Sequence, residues 1–207
     1  MEKFLPKTLS GKLWWVAGII VVGAVLGFVA FIFSPLSKAQ IPSSFVDARQ
    51  LASGYASSIV GDLSLVSDNI VQLQKLYGAK GSSNDALEII VAATAKHQDA
   101  REKSILLATQ LEKMARAIPD IHPDSAGQTA LVAISSETAL IGRLISQYNE
   151  SLGSLLVSLR DHFSGTKYEN PAQLNAMVDN INTETEAINQ LNDQFVQLMQ
   201  KFDSYYR

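Results

Sequence analysis

The chain has 207 residues, a formal net charge of −3 and no cysteine. The lack of cysteine excludes disulfides, thiolate metal sites and cysteine nucleophiles. From residue 39 onward, 13 basic and 19 acidic side chains leave a net charge of −6. This acidic balance argues against nucleic acid and against an anionic membrane surface as ligands, because both attract Lys and Arg patches.

An uninterrupted apolar run covers residues 13–33 and contains no charged side chain. Crossing the hydrocarbon core of a membrane takes roughly 20 apolar residues. Aromatic side chains stand at both ends of the run, as is typical of the two membrane interfaces. We therefore predict a transmembrane anchor, embedded in membrane lipid, at 13–33. The anchor residues singled out are Leu13, Trp14, Trp15, Gly23, Gly27 and Phe33; the two glycines form a GxxxG spacing that lets two such helices approach closely.

A cleaved secretory signal is the alternative interpretation of this run, because Ser37, Lys38 and Ala39 loosely fit a small-x-small cleavage site. The apolar region of a signal peptide is usually about 7 to 15 residues long, so the length favours the anchor.

The flanking charges predict the orientation of the anchor. Three lysines and one glutamate precede the run: Lys3, Lys7, Lys12 and Glu2. By the positive-inside rule, tail 1–12 lies in the cytoplasm and the remainder lies outside the plasma (inner) membrane.

Beyond a hinge at 34–44, which contains Pro35 and Pro42, apolar residues recur at three- and four-residue steps. The first predicted helix runs from Phe45 to Tyr77. The second begins at Ser83 or Asn84 and ends near Pro119, the third runs from Asp124 or Ser125 to Ser164, and the fourth begins at Pro171. Short connections force neighbouring helices to run antiparallel, so the predicted fold is all-α: an up-down four-helix bundle over 45–207.

The first and third helices carry few charges, and Ala, Ser, Gly, Thr and Val fill positions that are normally charged on an exposed face. Two interpretations remain open. Ser and Thr cover a solvated face, or the small residues form a packing surface for another copy of the chain or another protein.

Candidates for chemistry are few. The three histidines, His97, His122 and His162, have no second ligand at metal-binding spacing, and His97 is expected to be a partly buried, hydrogen-bonded side chain. Glu137 is expected to pair with Arg143 or to be exposed, since a general acid needs a partner that the sequence does not provide. No phosphate-binding glycine loop occurs. We predict no catalytic residue, no metal and no cofactor.

The segment from Leu111 to Asp120, followed by Glu137, Arg143 and the Tyr148-Asn149-Glu150 triplet, resembles the LemA family over about residues 106–163. In that family a Pro-Asp turn precedes a long helix carrying a Glu, an Arg and a Tyr-Asn pair. The family-pattern positions are Pro119, Asp120, Glu137, Arg143, Tyr148 and Asn149. The resemblance implies a bacterial, membrane-anchored helical protein without an established enzymatic activity, associated with the cell envelope, and it supplies no catalytic residues.

Two function classes follow. The first is a non-enzymatic anchored protein that assembles with itself or with a membrane or cell-envelope complex. The second is a ligand-binding or sensory ectodomain that acts through a partner chain, because helical ectodomains can hold a small ligand between helices; the sequence does not identify such a ligand.

Overall fold

The computed structural model describes residues 41–79, 83–166 and 171–206. Within these ranges the chain is helical, with no strand. The helices are α1 (Ser43–Ala79), α2 (Ser83–Arg116), α3 (Asp124–Phe163) and α4 (Pro171–Ser204). The all-α prediction is confirmed. Tail 1–12, the anchor at 13–33 and most of the hinge lie outside the described residues.

Local sequence signals place the helix ends close to the predicted positions. α1 begins at Ser43, inside the predicted hinge, because the carbonyl of Pro42 accepts a hydrogen bond from the backbone N–H of Phe45 at 3.0 Å. A proline is tolerated here, where its missing N–H would have no helical partner. At the end of α3, Gly165 adopts a left-handed conformation with φ of +69° and donates its N–H to the carbonyl of His162.

The connection between α2 and α3 contains a short 3₁₀ turn, Ile118–Asp120, with Pro119 in its first turn. The prediction that the second helix reaches Ile118 is therefore wrong by two residues. A proline lacks the N–H that would continue the α-helical hydrogen bonds, so the chain tightens and turns here.

α1 packs along α2, the first half of α3 packs mainly on α4, and the second half of α3 contacts both α2 and α4. The backbones of α1 and α4 approach each other closely at few points. The core consists of the facing apolar stripes, with Phe45, Phe195 and Phe202 among its largest fully buried side chains. Most apolar residues at the predicted three- and four-residue steps are buried. Leu131, which the spacing places with them, is an exception: it is 47% exposed, because α3 turns the small residues Ala126, Ala130 and Ala133 inward instead.

A buried cluster joins the start of α1 to the end of α4. Arg49 donates from Nη1 to Asp203 Oδ1 at 2.7 Å and from Nη2 to Oδ2 at 2.9 Å, and both residues are at most 5% exposed. Beside this ion pair, the rings of Phe45 and Phe202 lie 5.3 Å apart. The Tyr206 hydroxyl donates to the carbonyl of His122 at 2.8 Å, which attaches the α2–α3 connection to the same end.

α3 is long and apolar enough to cross a membrane by length and composition alone, although nearly half of its most apolar stretch is buried inside the fold. A core helix of a soluble domain meets the same criteria. The span predicted from the sequence is a different segment, 13–33, which lies outside the described part of the chain.

Candidate functional site

A cavity of about 70 Å³ lies where α1, α3 and α4 meet, with one residue of α2 at its edge. Its wall is mainly aliphatic. α4 contributes polar side chains, including Thr185 and Asn192, and α3 contributes the carboxyl group of Glu137 and the phenol of Tyr148. The cavity is therefore an apolar chamber with a few polar groups on one side, which is the usual composition of a small-molecule site.

Glu137 is the unusual residue of this cavity. It is 3% exposed, and no residue in ranges 41–79, 83–166 and 171–206 hydrogen-bonds to its Oε2 atom. Burial raises the pKa of the Glu137 carboxyl to about 8, because the ionised form loses its solvation and no cation replaces it. At neutral pH this carboxyl is therefore mostly protonated.

Both expectations for Glu137 are wrong. It is buried rather than exposed, and it does not pair with Arg143, whose Nη1 instead donates to Glu184 Oε2 at 3.0 Å and to Gln147 Oε1 at 3.2 Å. Six residues separate Glu137 from Arg143. In an α-helix this separation rotates two side chains by about 120° relative to each other, so they leave the helix on different sides.

A π-helical turn, Leu144–Tyr148, interrupts α3 beside the cavity. Such wide turns occur mostly as single insertions and are frequent at functional sites. Here the turn ends at Tyr148, which is 2% exposed and lines the cavity together with Leu144. Burial raises the pKa of the Tyr148 phenol above its ordinary value. Tyr148 therefore stays protonated at any physiological pH.

The cavity offers binding groups rather than a catalytic constellation. Among its lining residues only Glu137 and Tyr148 titrate. The hydroxyl of Thr185 is occupied, because it donates to the carbonyl of Ile181 at 2.8 Å within α4. A nucleophile with an adjacent base is the arrangement that covalent catalysis needs, and the lining residues do not supply that pair.

A second, more open groove of about 700 Å³ lies between α2 and the second half of α3. His97 is half-buried, as predicted, and packs on Gly153, where an added Cβ would lie 3.3 Å from the imidazole Cε1. Within the described part of the chain its Nε2 atom has no hydrogen-bond partner, so the expected hydrogen bond is absent at this atom, and the side chain of the buried Asn149 that it faces has none either. Burial lowers the pKa of His97; Asn149 opposes this shift and the charge of Arg101 reinforces it.

The six family-pattern residues do not form one site. Glu137 and Tyr148 share the cavity, whereas Asn149 belongs to the α2–α3 groove. Pro119 and Asp120 are exposed in the 3₁₀ turn, and Arg143 binds Glu184 near the surface. The residues that the sequence places near one another along α3 therefore diverge around its circumference.

Sequence reasoning missed two buried ion-pair groups. One is Arg49 with Asp203. The other is Asp62, 6% exposed, which binds the ammonium groups of Lys96 and Lys103 on α2. A usable signal existed for Arg49, because it falls four residues after Phe45 on the apolar stripe of α1. A lone cation at such a position indicates a buried partner.

No three His, Asp or Glu side chains converge as possible metal ligands in ranges 41–79, 83–166 and 171–206. The anchor residues of the sequence prediction lie outside these ranges.

No family model, no curated protein and no solved structure matches this chain. The resemblance to the LemA family therefore stays a prediction.

Proposed function

We propose that this chain is a non-enzymatic, membrane-anchored helical protein that assembles with itself or with a complex of the membrane or cell envelope. In this proposal residues 13–33 form the anchor, the tail 1–12 is cytoplasmic, and α1 to α4 form an antiparallel up-down four-helix bundle outside the plasma (inner) membrane. The short connections and the packing of successive helices on one another support the bundle.

The uncharged outer face of α1 carries the proposal. Between residues 50 and 65 every exposed position is uncharged, and Leu51 and Leu65, at 51% and 49% exposed, lie at its two ends. Gly54 and Gly61 lie between them, and an added Cβ at either position would meet nothing within 4 Å. Glycine destabilises a helix by about 1 kcal/mol relative to alanine, and no close contact within the described fold accounts for either glycine.

The close approach of a helix from another chain would explain Gly54 and Gly61. Small residues let helix backbones come together, and an uncharged face brings no repulsion between two copies. The outer face of α3 repeats the pattern, with Leu131 and Val132 47% and 55% exposed and with a glycine, Gly142, that also has open space around it. The competing account, a merely solvated face of Ser and Thr, does not explain why glycines and exposed leucines occur there together.

The test uses the full chain in detergent micelles or nanodiscs, analysed by sedimentation and by cross-linking. We expect an oligomer that Gly61→Leu disrupts, because the added side chain separates the backbones. Ala92→Leu, on the exposed side of the charged helix α2, is the matched control and should leave the oligomer intact. A wild-type chain that sediments as a monomer, and purifies from its native membrane without a stoichiometric partner, contradicts the proposal.

The membrane orientation has its own test. In intact spheroplasts an added protease should cut connection 80–82 or 167–170 if the bundle is extracytoplasmic, and should leave both intact if it is cytoplasmic. We retain 13–33 rather than α3 as the span, since α3 carries the buried Glu137 and covers the core with its apolar side chains.

The second candidate function is a ligand-binding or sensory ectodomain that acts through a partner chain. The cavity at Glu137 favours it, because a buried carboxyl without a partner in an apolar chamber is poorly explained by stability alone. Isolation of the chain alone, with a bound small molecule, would support this function over assembly.

A further inference from the structure

The cavity at Glu137 opens toward the surface of the protein. Three half-buried residues take part in its lining: Val60 on α1, and Ile188 and Asn189 on α4. The ion pair of Arg49 and Asp203 joins these two helices at one end, whereas their backbones approach closely at few other points. The mouth of the cavity therefore lies in the cleft between α1 and α4.

The chamber is small. Its volume of about 70 Å³ is roughly half that of a ~150 Å³ engineered cavity that admits benzene. At roughly 30 Å³ for each water-sized group, about two non-hydrogen atoms fit inside, and the rest of the ligand continues outward through the cleft. The ligand group that enters is therefore the narrow end of a molecule rather than a ring.

The charge of Glu137 and of the other lining residues decides which chemical group can enter the cavity. Among the residues that the structure describes, none hydrogen-bonds to Oε2 of Glu137, and no basic side chain lines the cavity. We propose that this cavity binds the ammonium end of an alkylamine, with Glu137 as its counter-ion and the aliphatic wall around its first methylene groups. This site does not depend on the self-assembly proposed above, because all its residues come from one chain.

Other ligand ends fit less well. A carboxylate would lose its solvation in the aliphatic chamber, where the lining residues offer no cation to compensate it, and a purely apolar end would leave the Oε2 atom of Glu137 without a partner. An alcohol offers a hydrogen bond but no charge, and hydrogen bonds to charged groups contribute roughly twice as much as neutral ones. The amine is the group that meets both the carboxyl and the aliphatic wall.

Binding has a defined proton balance. The free carboxyl of Glu137 is mostly protonated at neutral pH, since burial raises its pKa to about 8. An incoming alkylammonium keeps its own proton, and Glu137 releases its proton to solvent to become the carboxylate. Affinity therefore rises with pH up to about 8 and then levels off. Of the groups that face Glu137, only Tyr148 on α3 also titrates; those from α1, α2 and α4 carry no charge.

The experiment is calorimetric titration of the full chain in nanodiscs with n-butylamine, and with 1-butanol as the uncharged analogue. Above pH 8, where Glu137 has no proton to release, we expect the amine to bind about tenfold or more tightly than the alcohol, as a charged hydrogen bond implies. Glu137→Gln should abolish this preference, whereas Glu186→Gln, at an exposed position on α4, should keep it. Equal binding of amine and alcohol, or no amine binding by wild type, overturns the proposal.

Two further measurements test the proton release and the location of the bound amine. Titration in buffers of different ionisation enthalpy should show release of close to one proton per amine bound at neutral pH, and none for Glu137→Gln. The ring resonances of Tyr148 should shift with amine in wild type, which places the ligand in the cavity; unchanged resonances would contradict that placement.

The same chemistry has two sources, a free amine or the lysine side chain of another protein. A short alanine peptide with one central lysine distinguishes them. If the peptide binds as butylamine does, the site accepts a lysine from a partner. If only butylamine binds, the cleft admits free amines. If neither butylamine nor the peptide binds, the proposal is overturned.

Discussion

Replacing Glu137 by glutamine should flatten the pH dependence of folding stability. In the native protein the Glu137 carboxyl keeps its proton up to a pKa of about 8, compared with 4.5 for the ordinary group. Between these values the native state binds more protons than the unfolded state, so the free energy of unfolding falls as pH rises. Glutamine has nearly the same shape and no ionisable proton, so the variant should lack this contribution.

The magnitude follows from the difference between the two pKa values. About 3.5 pH units at ~1.36 kcal/mol each correspond to a loss of about 5 kcal/mol once the pH exceeds 8, and of about 3 kcal/mol at pH 7. These are upper limits, because water that enters the cleft would solvate the carboxylate. The contribution is fully present below pH 4.5 and is lost as the pH rises through 8.

Urea unfolding of the full chain, followed by circular dichroism across this pH interval, measures the effect. The unfolding free energy of wild type should fall more steeply with pH than that of Glu137→Gln, while the exposed-site variant Glu186→Gln should keep the wild-type slope. Any constant cost of burying the amide shifts the curve without changing its slope. Parallel curves for wild type and Glu137→Gln would show that Glu137 is not a buried, protonated acid.

Three further predictions concern contacts outside the cavity. Asp203→Ala should lower the free energy of unfolding by about 3–5 kcal/mol, because it removes the buried carboxylate that accepts two hydrogen bonds from Arg49; Asp193→Ala, at an exposed site, should change it little, and equal losses would contradict this reasoning. Gly153→Ala should shift the imidazole resonances of His97, since the new Cβ would lie 3.3 Å from Cε1; an unchanged NMR spectrum would refute that packing. The lowered pKa of His97 means that stability falls as the pH drops below about 6.5. His97→Gln should reduce this fall in acid denaturation curves, and an unchanged fall would show that the imidazole is solvated rather than buried.

The helices were predictable because the signals that start and stop them are local. Pro42, Pro171 and Gly165 act through their own backbone geometry, and the three- and four-residue spacing of apolar residues needs no knowledge of the partner helix. Each predicted helix is present with its ends shifted by a few residues. At the end of α2, the shift arises where the 3₁₀ turn at Pro119 takes over.

The cavity was not predictable because it depends on contacts between distant segments. Glu137 looks like an ordinary surface acid in sequence, six residues from an arginine of opposite charge. Its burial is decided by which side of α3 faces α1 and α4, and Arg143 finds Glu184, 41 residues away, on another side. Residue spacing along one helix reports which side chains share a face, but not what covers that face.

The ion pair between Arg49 and Asp203 also determines when, during translation, the protein can complete its fold. The two residues are 154 positions apart, and at about 5–20 residues per second the ribosome needs roughly 8–30 s to make the intervening chain. During that time α1 and α2 can pair, since Asp62 already has Lys96 and Lys103, but the Asp203 carboxylate that binds Arg49 has not yet been made. The core around Arg49 can therefore be completed only after α4 has been synthesised.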